Sequence, residues 1–328
     1  LKVLVTGGAG YIGSHSVDAL LKNGNEVFVV DSLSRGRIEN IEHNLSKSNF
    51  HFIRDNILNE GRIDGLIKEC DTIFHLAAQV GVRHILQDPL EGILTNVRGT
   101  EVILRFAHKY RKKVILTSSS EVYGKASSIP FSEDDNLVLG PTKIVRWAYA
   151  ASKLIDEHLG FAYYKQSLPV VILRLFNSYG SRLDESGYGS VIARFIGQAI
   201  NGEPITVHGD GRQTRCFTFI EDTVRGIILS AEKKEAEGEI FNIGSDIETS
   251  IEGLAGLIKS ITGSKSEIIH VPYGSYYGQG FEDVRRRAPD VRKSADILRF
   301  RARVSLEEGL ERTIAWWKEF YPVRGLKG

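Results

Sequence analysis

The stretch that most constrains this chain is its beginning. Lys2–Thr6 is a short apolar run rich in valine, and Thr6-Gly7-Gly8-Ala9-Gly10-Tyr11-Ile12-Gly13 follows at once. Apolar residues then recur at helical spacing (Ile12, Val17, Leu20, Leu21) as far as Lys22. Strand, Gly-x-x-Gly-x-x-Gly turn and helix, in that order, suit a diphosphate: Gly7 permits the tight turn, Gly10 lets backbone approach the ligand, and Gly13 lets helix pack on sheet. The helix start adds unpaired N–H groups and the positive end of the helix dipole. Asp31 closes the next β-branched run, Glu26–Asp31, 18 residues after Gly13. An acid there accepts both hydroxyls of an adenosine ribose and repels a 2′-phosphate, so NAD is favoured over NADP. Arg35 and Arg37 follow it and weigh the other way.

Further strand signals at His51–Arg54, Thr72–Ala77, Lys113–Ser118 and Val170–Leu175 alternate with helical stretches near 92–110 and 146–166. Continuous apolar strands separated by helices predict a doubly wound, Rossmann-type parallel sheet in an α/β fold. Past residue 178 the pattern loosens, with Gly and Tyr clustered at 179–189 and 273–281. Glu221–Lys233 reads as a helix, Glu239–Ile243 as a strand and Leu306–Phe320 as an amphipathic helix. The expected division is a dinucleotide-binding domain over 1–177 with a returning segment 215–243, and a smaller α/β lobe from 178–214 and 244–328. The 42 basic and 41 acidic residues leave a net charge of +1, which argues against a nucleic-acid partner bound through its phosphates. No apolar run approaches the ~20 residues of a membrane span, and the opening reads as a strand rather than a signal peptide. Cys70 and Cys216 stand far apart; reduced thiols, a cytoplasmic location and no metal are expected.

Tyr149-Ala-Ala-Ser-Lys153 puts a phenol and an ammonium four residues apart, on one face of a helix. A neighbouring cation stabilises phenolate and lowers its pKa from ~10 toward neutrality. Such a base can take a proton from a hydroxyl while hydride leaves the same carbon. Taken alone, the pair also fits an ordinary surface pair. The run Thr117-Ser118-Ser119-Ser120-Glu121-Val122-Tyr123-Gly124 follows a strand and falls at the carboxyl edge of the sheet, where ligands bind. Its hydroxyls can bond a reacting hydroxyl or ketone, and Glu121 adds an acid or base; a serine-rich turn would fit the same residues.

Together these residues resemble the extended short-chain dehydrogenase/reductase family of NAD-dependent nucleotide-sugar epimerases, dehydratases and decarboxylases. The resemblance runs nearly end to end, through Thr6–Gly13, Asp31, Asp55, His75–Ala78, Ser118–Gly124, Tyr149 with Lys153, Arg174–Asn177, Gly209–Gly211 with Arg215, and Phe241–Gly244. It implies a cofactor site that adds Tyr11, Ile12, Asn56, Ile57, Leu76, Ala77 and Ala78 to the residues above, with Asp55 beside the adenine. It implies a substrate site of Arg83, Ser119, Asn177, Arg182, Arg215 and Arg287, and makes the smaller lobe the nucleotide-sugar lobe.

The motif Ser119-Ser-Glu-Val-Tyr-Gly124 matches the uronate decarboxylases, and GDP-mannose dehydratases carry a similar Thr-Ser-Glu. Arg146-Trp-Ala-Tyr149 and Tyr276–Val284 followed by Arg287-Ala-Pro289 resemble the decarboxylases, where one Arg lies near the sugar carboxylate. That role passes to Arg287 and not to its neighbours Arg285 and Arg286. Gln79-Val-Gly-Val-Arg83 resembles instead the loop of the 4-epimerases, and Ser181 stands where the family usually has proline. The resemblance thus implies UDP-glucuronate decarboxylation to UDP-xylose, with a UDP-sugar 4-epimerase as alternative and a non-catalytic NAD-sensing regulator as a third reading. In the first, Tyr149 takes the 4-hydroxyl proton, Ser119 holds that hydroxyl, Arg287 positions the carboxylate, and Glu121 with Ser120 manages the proton at C5. Relatives dimerise through two helices per subunit; 92–110 and 149–166 match them here, implying a homodimer.

Overall fold

The computed structural model describes residues 1–80, 88–184, 190–272 and 284–321. Its centre is a sheet of seven strands, all parallel. Six are β1 (Lys2–Thr6), β2 (Glu26–Asp31), β3 (Phe50–Arg54), β4 (Thr72–His75), β5 (Lys113–Ser119) and β6 (Val170–Leu175); the seventh is Ile240–Ile243. Their spatial order is the seventh strand, β6, β5, β4, β1, β2, β3. The chain runs outward to β3 and then crosses back to β4, so the sheet reverses direction between β1 and β4. A crevice opens at that reversal beyond the carboxyl ends of the strands. Thr6 of β1 pairs with His75 of β4, and Ser119 closes β5 opposite Leu175, so the motif residues share one sheet edge.

Both faces of the sheet are covered, which is why its strands are nearly continuous apolar runs. Helix α1 (Tyr11–Lys22) and the helix Ile220–Glu232 pack one face through Val17, Leu20 and Ile227. Helices α2 (Glu60–Glu69), α3 (Pro89–Tyr110) and α4 (Trp147–Lys165) cover the other; Ile63, Ile67 and Ile103 meet Leu116 and Ile172 there. Helix α3 starts where Pro89 follows an Asp88 side chain that accepts from Glu91 N–H at 2.9 Å, a sequence suited to a helix start. A separate core joins the helices Val191–Asn201, Ile251–Thr262 and Leu306–Phe320 through Phe195, Leu254 and Trp317.

The first and third of these helices differ in how clearly the sequence announced them. Leu306–Phe320 has the predicted bounds. Val191–Asn201 and Ile251–Thr262 were not anticipated, although serines cap both starts and glycines close both ends in the left-handed conformation. The predicted strand Thr72–Ala77 ends at His75, because Leu76 and Ala77 turn back to donate their N–H groups to the carbonyl and hydroxyl of Thr6. Cys70 and Cys216 are buried thiols. Among the described residues, no helix is long and apolar enough to cross a membrane and no His/Cys/Asp/Glu group could hold a metal ion.

Candidate active site

The glycine turn between β1 and α1 has three different jobs. A Cβ on Gly7, at φ 71°, would stand 2.7 Å from Ala77 Cα, and one on Gly13 would stand 2.0 Å from the Gly7 carbonyl oxygen. Both positions are closed by backbone, which cannot yield. A Cβ on Gly10 would approach only the Gly7 oxygen, at 3.1 Å, so the turn is open on that side. The cradle fits the diphosphate of NAD. Tyr11 and Ile12 follow the turn as the first residues of α1 and the start of its buried face. Tyr11 packs edge-on against His15 and buries its hydroxyl without a hydrogen-bond partner, while Ile12 joins the core.

Asp31 lies at the rim, with its carboxylate accepting from Ala9 N–H at 3.0 Å and Leu33 N–H at 2.8 Å. Burial pushes its carboxyl up, against those N–H groups. Arg37 turns away to Asp184, at 3.0 Å, and Arg35 bonds Gln79. Asp55 accepts from Asn56 N–H at 2.7 Å and from the side chains of Asn59 and Arg62, which hold its carboxyl below the usual range. Asn56 accepts from Leu58 N–H at 2.9 Å, and Ile57 packs under α3 against Gly99. Leu76–Ala78 complete the floor, fixed by Thr6 and by Asn96, whose amide oxygen accepts from Gln79 N–H at 2.7 Å. His75 is buried below, bonded to Thr6 and Thr100. Burial, then the charge of Lys153, pulls it down to about 3, so it is a neutral structural group.

Tyr149 and Lys153 sit on α4, with the Ser119 hydroxyl beside the Tyr149 phenol. Lys153 is 2% exposed and donates to the Thr117 carbonyl at 3.0 Å and to Asp156 at 3.1 Å. Burial would lower the ammonium, but Asp156 and the phenol raise it overall. The phenol departs from expectation. In the chain alone burial raises it by more than Lys153 and Ser119 lower it. The cationic nicotinamide of a bound cofactor adds a charge of the sign that lowers a phenol.

Glu121 closes the other side. Arg287 donates to its Oε1 at 2.7 Å and Arg146 to its Oε2 at 3.3 Å. Burial works against ionisation, but Arg287, Arg146 and Arg215 overcome it and hold the carboxyl at about 2. Glu121 is therefore held as an anion in the chain alone. Ser120 is buried beside it. Strand register explains how the arginines meet: the short strand Arg286–Arg287 runs parallel to Thr214–Cys216 and pairs Arg287 with Arg215. Arg286 points outward to Glu248, and Arg285 outward to Asp210.

The remaining candidates are dispersed. Arg182, at φ 64°, donates to Asp18 of α1 at 2.6 Å. Asn177 is half-buried, its carbonyl bonded by Thr218 N–H at 3.1 Å. Arg83 and the segment 276–283 lie outside the described residues. The residue pattern places Arg146 only in the motif before Tyr149 and gives Asp156 and Asn96 no role; Arg146 and Asn96 meet partners on other elements, whereas Asp156 meets Lys153 three residues away on α4.

The family model for GDP-mannose 4,6 dehydratase matches residues 4–313. A UDP-N-acetyl-alpha-D-glucosaminuronate decarboxylase of Bacillus cytotoxicus is 44% identical over 318 residues, 97% of this chain and 98% of that protein. UDP-glucuronic acid decarboxylase 1 of Xenopus tropicalis is 35% identical over 322 residues, 97% and 72% of the two chains. The solved UDP-glucuronic acid 4-epimerase of Bacillus cereus, in complex with UDP-glucuronic acid and NAD, superposes with a TM-score of 0.88 at 33% identity, covering 98% and 100%.

Proposed function

Because this chain belongs to the GDP-mannose 4,6-dehydratase-like family of extended short-chain dehydrogenase/reductases, which is NAD-dependent, we propose that it decarboxylates a UDP-hexuronate. The carrying observation is the Glu121 carboxylate held by Arg287 and Arg146 beside Tyr149. Bound NAD supplies a reversible hydride acceptor. Gly7, Gly10 and Gly13 would admit its diphosphate, Asp31 its ribose and Asp55 its adenine. Residues 178–214 and 244–328 would hold the nucleotide sugar, with Arg182 among them and Asn177 and Arg215 at the borders where the chain passes between the two parts.

Tyr149 takes the proton of the sugar 4-hydroxyl, which Ser119 holds. Oxidation at C4 turns the substrate into a β-keto acid, whose carbon dioxide leaves with the bonding electrons passing into the ketone. The guanidinium cluster admits an anionic sugar. Glu121 already occupies hydrogen bonds of Arg287 and Arg146, which keeps them from closing a full clamp on the uronate carboxylate. A loose grip and a fixed anion nearby favour departure of a neutral product. The proton reaching C5 then comes from water ordered by Glu121 and Ser120. As C4 is reduced again by the returning hydride, Tyr149 gives its proton back to the C4 oxygen.

The Bacillus cytotoxicus relative favours a substrate with an acetamido group at C2, and the animal relative one with a hydroxyl. A 4-epimerase reading is kept by the Bacillus cereus neighbour. Incubation with UDP-glucuronate and with its 2-acetamido counterpart, UDP-N-acetylglucosaminuronate, followed by mass spectrometry, decides among them. Loss of carbon dioxide, with solvent deuterium incorporated at C5, is expected. Unchanged mass with inverted C4 supports epimerisation, and no turnover of either sugar overturns both. We also propose a homodimer through α3 and α4, which expose Ile93, Leu94 and Ile155; a monomer in sedimentation analysis would refute it.

A further inference from the structure

Helix α4 carries two adjacent buried acids, and they are used differently. Glu157 is fully engaged, receiving Arg174 at both oxygens, at 3.0 and 2.8 Å, and the Ser118 hydroxyl. Asp156 is completely buried, yet only Oδ2 has a charged partner, Lys153; Oδ1 has no hydrogen-bond partner. A buried ion pair costs desolvation that its own attraction does not reliably repay, so its position on the candidate base's ammonium calls for another explanation.

The surroundings give it a direction. The Thr100 hydroxyl of α3 meets His75 Nε2 at 3.1 Å and faces the Asp156 carboxylate, steadying its charge. A carboxylate only accepts, so a Thr100 hydroxyl turned toward it leaves its oxygen to accept from His75 Nε2–H. His75, being neutral, then accepts at Nδ1 from the Thr6 hydroxyl, at 2.7 Å, and Thr6 in turn accepts from Ala77 N–H. Every dipole in this buried row points its positive end at Asp156. The row begins at the floor of the dinucleotide cradle and ends one carboxylate from Lys153.

We propose that Asp156 is a positioning residue for the reaction: its buried carboxylate cancels part of the Lys153 charge and so sets the pH range in which Tyr149 exchanges its proton. The inference rests on Tyr149 being the base, as proposed above. Other charges face the phenol as well: Glu121, Arg146 and Arg287 from the loops around it, and the Glu157–Arg174 pair behind it. Those carboxylates each have an arginine, so Asp156 is the acid whose charge is set directly against the lysine.

The test is the pH profile of kcat for the sugar that is turned over, in Asp156→Asn and, should that variant fold poorly, Asp156→Ser. With the opposing anion gone, the acid limb should move down by about one pH unit. Asp156→Glu should restore the wild-type limb. The tyrosinate absorbance of the protein without substrate, read as a difference from Tyr149→Phe, should move the same way. A role in stability alone would lower kcat and melting temperature with the limb unmoved. An unmoved limb, or one moved upward because Lys153 loses its proton instead, overturns the proposal. Full turnover by Tyr149→Phe would instead refute the assignment of the base, so the two failures are distinguishable.

Discussion

The two sides of the crevice are built by opposite means. The dinucleotide side is made of backbone: a turn in which Gly7 and Gly13 leave no room for a Cβ, closed over a floor of neutral hydrogen bonds from Thr6, His75 and Asn96. The opposite side is made of charge: Glu121 after β5, Arg146 before α4 and Arg287 on a distant short strand meet at hydrogen-bond distance. Shape on one side and electrostatics on the other predict different failures. Steric changes should break binding and folding together, whereas charge changes should alter rate with the fold intact.

The sharpest break falls between the two sides. Tyr149→Phe should lose on the order of 10³-fold in kcat with an unchanged melting temperature, measured by turnover and calorimetry. On the backbone side, Gly13→Ala forces a methyl into the Gly7 carbonyl and should cost about 3 kcal/mol of stability, together with loss of retained NAD, seen in denaturant titration and in the dinucleotide released from the purified protein. On the charged side, Glu121→Gln frees the arginines to grip the substrate; kcat should fall on the order of 10²-fold while KM also falls. A raised KM would show that Glu121 aids ground-state binding.

Acid sharpens the contrast further. His75 and His15 are held neutral by burial, at about 3 and about 4, below the ordinary value of ~6.5. The unfolded chain therefore binds more protons between those values, and stability falls as pH drops from ~6.5 toward 3. Glu121, depressed to about 2, adds a loss only below its unfolded value of ~4.3. The urea midpoint should thus begin falling well before Glu121 titrates, and a His75→Gln variant should flatten the upper part of the curve. The smallest effect belongs to Arg285→Ala with Arg286→Ala. Their pairs with Asp210 and Glu248 are exposed, so less than about 1 kcal/mol should be lost and kcat should hold.

What could be read from the residues follows the same division. The glycine turn, Asp31 and the Tyr149–Lys153 pair are local patterns, and spacing within one turn or helix is enough to bring their members together. Glu121 was visible as a residue but not as a held anion, because its state is set by Arg146 and Arg287, 25 and 166 positions away. Asp156 stands three residues from Lys153 on α4, a spacing that puts both on one face; what the residues do not mark is its complete burial. The amphipathic helices Val191–Asn201 and Ile251–Thr262 escaped notice among irregular neighbours, although their capping serines and closing glycines were present.

The arginine selected for the site owes its place to alternation along a strand two residues long. Arg287 reaches Glu121 because it stands opposite Arg215, while Arg286, one step earlier, stands opposite Thr214 and faces solvent. Slippage by one position would substitute the methyl of Ala288 for a guanidinium, or swing the wrong cation inward, with every atom of the sequence still present. The meeting of Arg287 with Glu121 is therefore a matter of parity, and a frame error in assembling that small ribbon would take the guanidinium from Glu121 as thoroughly as deleting the residue.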